Sequence, residues 1–198
     1  MPHIKSTLSL TGDHVLLVPL SLDHANDLTE VVKNGELHRL WYTLIPTADG
    51  MDDEIKRRLE LQKVGNMIPF SIIKKTNEKV VGMTTFMNID NLNKRVEIGS
   101  TWLDKSVQRT VVNTECKLLL LRHAFETMKC ICVEFRTHFI NHQSRRGIER
   151  LGAKLDGVLR SNALMPNGTI RDTAVYSIIH SEWQTVKTNL EWLLKKYD

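Results

Sequence analysis

The chain has 198 residues, 41% of them hydrophobic and 25% charged, with a formal net charge of +4. That length suits one domain with a sizeable core, and the composition is that of an ordinary soluble globular protein. No run of about 18 apolar residues exists, which excludes a transmembrane helix. The leading segment MPHIKSTLSLTGDH lacks the apolar core and small-residue cleavage site of a secretory signal. The expectation is a cytoplasmic protein away from membranes. Its mild basic excess is spread along the chain, which suits an anionic cofactor and argues against direct nucleic-acid binding. Three cysteines, Cys116, Cys130 and Cys132, agree with a reducing compartment.

In chain order, Val15–Leu20 is short, apolar and proline-marked, and predicts a strand. Ser21–His24 offers capping residues before a helix over Ala25–Lys33. Leu40–Pro46 reads as a loop or short helix with a partly exposed aromatic cluster. Asp52–Val64 predicts a helix whose first turn carries acids, as the helix dipole favours. Pro69–Lys75 and Val80–Met87 form a hairpin about the turn Thr76–Lys79, and Asn88–Lys94 is a polar loop before the strand Arg95–Leu103.

Val111–Met128 is a long amphipathic helix with Leu118, Leu121, Phe125 and Met128 on one stripe. Ile131–His138 alternates as a half-buried strand, with Ile131, Val133 and Phe135 inward and Cys132, Glu134 and Arg136 outward. The two-residue period sets Cys130 and Cys132 on one face, about 6–7 Å apart. No second Cys/His pair with zinc-ligand spacing accompanies them, so no metal is expected. A short helix over Ser144–Leu151 stops at Gly152, and strands over Ala153–Arg160 and Asp172–Ile179 flank the turn Pro166-Asn167-Gly168. Glu182–Lys196 closes the chain as an amphipathic helix. Interleaved elements with several hairpins predict one α/β domain, a mixed sheet with helices on its faces.

The central stretch carries the chemistry. A polar-tipped strand, VEIGSTWL, runs through QRTVVNTE into the long helix, an arrangement that offers free backbone N–H groups to an anionic ligand. The ordered series Glu97-Ile98-Gly99-x-x-Trp102-Leu103, Gln108 through Glu115, Asn141-x-x-Ser144, Leu151-Gly152-Ala153 and Gly157-x-Leu159-Arg160 resembles the GNAT N-acetyltransferase superfamily. Together with Arg171-Asp172-x-x-x-Tyr176-Ser177, it is most similar to the branch of the ribosomal-protein N-terminal acetyltransferases. The resemblance runs from Val15 to Ile179. It implies a single domain over residues 1–198 with its core about residues 15–180, and a mostly antiparallel sheet with a V-shaped gap between two central strands.

The resemblance also implies acetyl-CoA as cosubstrate. The pantetheine arm would pair with Thr101, Trp102 and Leu103, and the pyrophosphate would sit on the loop and helix start formed by Gln108, Arg109, Thr110, Val111, Val112, Asn113 and Thr114. Asn141 would hydrogen-bond a pantetheine amide. The family loop has two glycines where this chain has Arg109 and Val111. Either the loop keeps its shape with non-glycine angles, or cofactor binding is weakened or lost. Acyl transfer to an amine needs a base, for which Glu97 is the first candidate, with Glu134 and His138 behind it. No tyrosine stands between Tyr42 and Tyr176 to act as acid. Ser144 is a candidate acid or a helix cap, and water is a further proton source. Trp41 and Tyr42 are candidate substrate-binding residues. The expected activity is acetyl transfer to a primary amine, with a protein N-terminal α-amine leading and a ribosomal-protein N-terminus as one candidate. A small amine or antibiotic, and a degenerate protein that binds CoA or a partner without catalysis, are the alternatives. Monomer and homodimer both stay open.

Overall fold

The computed structural model describes residues 8–196. Residues 1–7, part of the segment read for a secretory signal, and residues 197–198 lie outside the described residues. The strands are β1 (Leu10–Thr11), β2 (Val15–Pro19), β3 (Met67–Lys74), β4 (Lys79–Asp90), β5 (Arg95–Leu103), β6 (Cys132–His138), β7 (Lys154–Leu164) and β8 (Ile170–Ile179). They form one sheet in the order β1-β2-β3-β4-β5-β6-β8-β7, antiparallel throughout except where β5 meets β6. The helices are α1 (Ala25–Lys33), α2 (Met51–Lys63), α3 (Val111–Arg122), α4 (His142–Arg150) and α5 (Trp183–Lys195).

Alternation along the strands builds two cores. Val80, Met83 and Trp102 face α1 and α2, packing with Leu28, Val32, Met51 and Ile55. Val81, Phe86 and Leu103 face the other way, toward α3 and α5, among Leu120, Phe125, Trp183 and Leu190. Burying apolar surface on both faces is the main driving term for a sheet of this kind. The expected mixed sheet with helices on both faces is the observed architecture.

Two elements depart from the amphipathic patterns expected of them. In α3 every residue from Thr114 to Leu121 is buried, because the helix is enclosed between the sheet and α5. Its stripe is therefore a whole circumference. Beyond Arg122 the helix widens into a π turn over His123–Thr127, where the N–H of Met128 reaches the carbonyl of His123. Ile131, expected to face inward, precedes β6 and is 55% exposed, whereas Glu134 within the strand is buried. Cys130 also precedes β6, so the strand period does not relate it to Cys132; both are buried free thiols.

Two features position the site. β5 and β6 pair in parallel only over Arg95–Glu97 and Cys132–Glu134, after which the strands part and leave a V-shaped gap. The β4–β5 register also slips between Met83 and Thr85, with Ser100 at φ 48°. This is a β-bulge that re-aims Thr101 beside the gap.

Candidate active site

The gap opens into a cleft of about 740 Å³. Its floor is β5. Thr101, Trp102 and Leu103 line it, and the side-chain amide of Gln108 donates to the carbonyl of Leu103 at 3.1 Å, tying the following loop to the strand end.

At the head of the cleft, the loop keeps a left-handed residue where a glycine is usual in the family: Arg109 has φ 62°. The non-glycine angle of the first reading is therefore present. The chain adopts the bent loop with a non-glycine residue, at a local cost of roughly 1 kcal/mol. Val111, at the second glycine position, is the first residue of α3. Thr110 caps the helix, its Oγ1 accepting the N–H of Val112 at 3.3 Å while donating to the carbonyl of Val107 at 2.7 Å. Among the described residues no acceptor serves the N–H groups of Arg109, Thr110, Val111 and Asn113. Those donors, the dipole of α3 and the nearby guanidinium groups of Arg109, Arg146 and Arg150 make a cradle suited to a pyrophosphate. The residues present therefore fit the expected cofactor at this end.

Not every expected loop residue faces the cleft. Val112 is buried in the core, and Thr114 is fully buried with its hydroxyl taken by Arg150. The side chain of Val111 does not line the cleft either. These three can meet a ligand only through backbone groups. Glu115, one residue further, is structural: its carboxylate accepts the N–H groups of Asp13, His14 and Val15 at 2.8, 2.8 and 2.7 Å.

The first candidate base lies where the strands part. Glu97 is 5% exposed and accepts a hydrogen bond from Asn88 at 2.7 Å. Burial holds its carboxyl above the ordinary value, against the pull of Asn88 and of Arg136, whose Nε lies 3.7 Å from Oε2. A carboxylate raised in this way is a better proton acceptor near neutrality. Glu134, directly opposite in the β5–β6 register, is occupied: it is ion-paired with Arg95 and with Arg136. Those two close ion pairs compete with a role as base. His138 is 6% exposed, and burial lowers its pKa, which favours the neutral imidazole.

On the opposite wall, Asn141 caps α4 through Oδ1, which accepts the N–H of Ser144 at 3.0 Å. Ser144 is therefore not the cap, and its hydroxyl lies half-buried on the cleft wall. Tyr176 is far from any acid role at the cleft: it is buried, donating to Glu149 and accepting from Arg145. Tyr42 lines the cleft. Trp41 does not, its indole packing edge-on against both Tyr42 and His138.

Two cleft residues escaped the sequence reading. Lys117, 6% exposed on α3, donates to Thr101 Oγ1 at 2.6 Å, and burial lowers its pKa. Its signal was a lysine inside the apolar run of a helix. Arg171, quoted above only within a family motif, reaches the cleft from β8.

The profile of the acetyltransferase (GNAT) domain matches residues 14–154 of this chain. The Bacillus subtilis protein named "Putative ribosomal N-acetyltransferase YdaF" is 31% identical over 106 residues, 54% of this chain. The match spans 57% of that relative's length. A GCN5-related N-acetyltransferase from Brucella melitensis superposes with a TM-score of 0.86 at 27% identity, covering 98% of this chain and 87% of that one. The fold is shared as well with Mycobacterium smegmatis RimJ, solved in complex with CoA-disulfide, at a TM-score of 0.76 and 19% identity over 90% of this chain and 88% of that one. With the domain match covering most of its length, the chain belongs to the GNAT acetyltransferase family.

Proposed function

We propose that this protein transfers the acetyl group of acetyl-CoA to a primary amine, and that the amine is a protein N-terminal α-amine. The observation that carries this reading is the parting of β5 from β6 between a cradle of free N–H groups at one end and the buried Glu97 at the other. Acetyl-CoA supplies the acyl group activated as a thioester. Arg109, Thr110, Val111 and Asn113 hold its pyrophosphate through backbone N–H groups, and Thr101–Leu103 present strand backbone to the pantetheine. Backbone N–H groups at the bulge stabilise negative charge on the carbonyl oxygen. Glu97 takes the proton of the acceptor ammonium, directly or through water. The half-buried hydroxyl of Ser144 or a water returns a proton to the sulfur.

The protein acceptor is supported by the name of the Bacillus subtilis relative, a ribosomal N-acetyltransferase, and Tyr42 lines the cleft in which its chain end would lie. Titration calorimetry with acetyl-CoA, followed by thiol release with peptides bearing free or blocked N-termini, tests the reading. Saturable binding and thiol release only with free N-termini are expected. Absence of binding at millimolar acetyl-CoA overturns it.

A further inference from the structure

We propose that the acceptor carries a carboxylate close to its amine, and that Arg171 binds this carboxylate while the amine lies against Glu97. The proposal rests on the acyl-transfer reading above and adds the chemical class of the acceptor.

The arginines at this end of the cleft differ in what they hold. Arg58 is ion-paired with Glu54 and donates to Thr85. Arg136 is ion-paired with Glu134 and approaches Glu97. Arg171, among the described residues, has no ion pair. Its Nε donates to Thr173 Oγ1 at 3.0 Å, and its two terminal amino groups have no acceptor. The edge of the guanidinium that suits a planar carboxylate is therefore the free one. The group is half-buried, so water serves it less well than it serves a surface arginine, and burial works against its charge.

A second donor without an acceptor stands nearby. His138 Nδ1 accepts the N–H of Ile140 at 3.3 Å, which puts the ring proton on Nε2. That nitrogen is buried and without a hydrogen-bond partner among the described residues. His138 lies opposite Thr173 in the β6–β8 register, two residues from Arg171, beneath the half-exposed indole of Trp41. Donors left without acceptors inside a cleft are costly unless a ligand supplies the acceptor. Glu97 is the complementary pole. It interacts electrostatically with Arg171, and among the described residues it is the one carboxylate lining the cleft. An ammonium at Glu97 and a carboxylate at Arg171 match this pair of poles. Two sources carry that pairing: a peptide whose second residue is acidic, and a free amino acid with its α-carboxylate.

The test uses the intact protein loaded with CoA and measures binding calorimetrically, apart from turnover. One arm compares peptides beginning Ser-Asp and Ser-Asn, and the other compares free glutamate with its α-amide. In at least one arm the carboxylate member should bind about 10-fold or more tightly. The gap should vanish in Arg171→Gln and survive in part in Arg171→Lys, with CoA affinity unchanged in both. The arm that shows the gap identifies the source. Equal binding of acid and amide in both arms, a gap that persists in Arg171→Gln, or no binding of any of the four ligands overturns the proposal. Acetyl transfer is scored separately. Transfer without charge discrimination leaves the acyl-transfer reading standing and removes this one, and discrimination without transfer does the reverse.

Discussion

Lys117 Nζ lies 2.6 Å from Thr101 Oγ1 and 3.3 Å from Thr84 Oγ1, so one amino group on α3 ties together the two strands that meet at the bulge. The two hydroxyls are also 2.8 Å from each other. No carboxylate pairs with this lysine among the described residues, and burial lowers its pKa by working against the charged form.

Lys117→Met should therefore leave stability at neutral pH unchanged or raised, since the threonines keep each other as partners. Turnover should fall about 10- to 100-fold as Thr101 and the bulge lose their anchor. The pH dependence has a definite sign. In the wild type the folded pKa is lowered, so the unfolded state binds more protons, and stability relative to the variant rises as pH climbs toward 10.5. Urea unfolding of both proteins at neutral pH and near the lysine range checks this, and a constant difference contradicts it.

Glu97 titrates above the ordinary 4.5 of a glutamate because it is buried. As a base it acts when deprotonated, so kcat/KM should rise with pH along a limb displaced above that value. Glu97→Gln should abolish the limb and lower kcat by about 10²- to 10⁴-fold, with acetyl-CoA affinity unchanged. An unaltered profile in the variant assigns the base elsewhere.

Arg109 combines a left-handed backbone angle with the phosphate contact proposed for its guanidinium, and two substitutions separate them. Arg109→Gly relieves the positive φ and should add up to about 1 kcal/mol of stability. Arg109→Ala keeps the strain. Both remove the guanidinium, and both should raise the acetyl-CoA dissociation constant about 10- to 100-fold. Equal stabilities for the two variants argue against the strain, and an unchanged dissociation constant against the contact.

Glu115→Gln should destabilise the fold by about 2 kcal/mol or more. Three N–H groups converge on a charged acceptor, and an amide offers them one oxygen and an opposing NH₂. Faster hydrogen exchange at Asp13, His14 and Val15 is the local signature to look for.

Much of the fold was legible because local signals marked its element ends. The acids opening α2, the left-handed Gly152 after α4 and the turn at Gly168 each carry a conformational preference that needs no tertiary context. What depended on the sheet was not legible. Which of Glu134 and Glu97 is the more closely paired follows from the register Glu97↔Glu134 and from which arginines that register brings alongside. The π turn at His123 left the apolar spacing of α3 nearly intact and so gave no pattern to read. The gap between β5 and β6 was expected from the family resemblance alone, since both segments remain strands after their ladder ends. Arg171 and His138 become notable only once their donors are counted in three dimensions.

The Glu115 clamp has a consequence for the order of assembly. Its partners lie 100 to 102 positions earlier in the chain. At synthesis rates of about 5–20 residues per second, the segment Asp13–Val15 waits roughly 5–20 s for the residue that fastens it. Until then β1 and β2 can present an open edge to other chains. The first edge of the sheet to be made is held shut by the helix that also heads the cleft, so a folding defect at the N-terminus should be felt where the cofactor's phosphates are expected to bind.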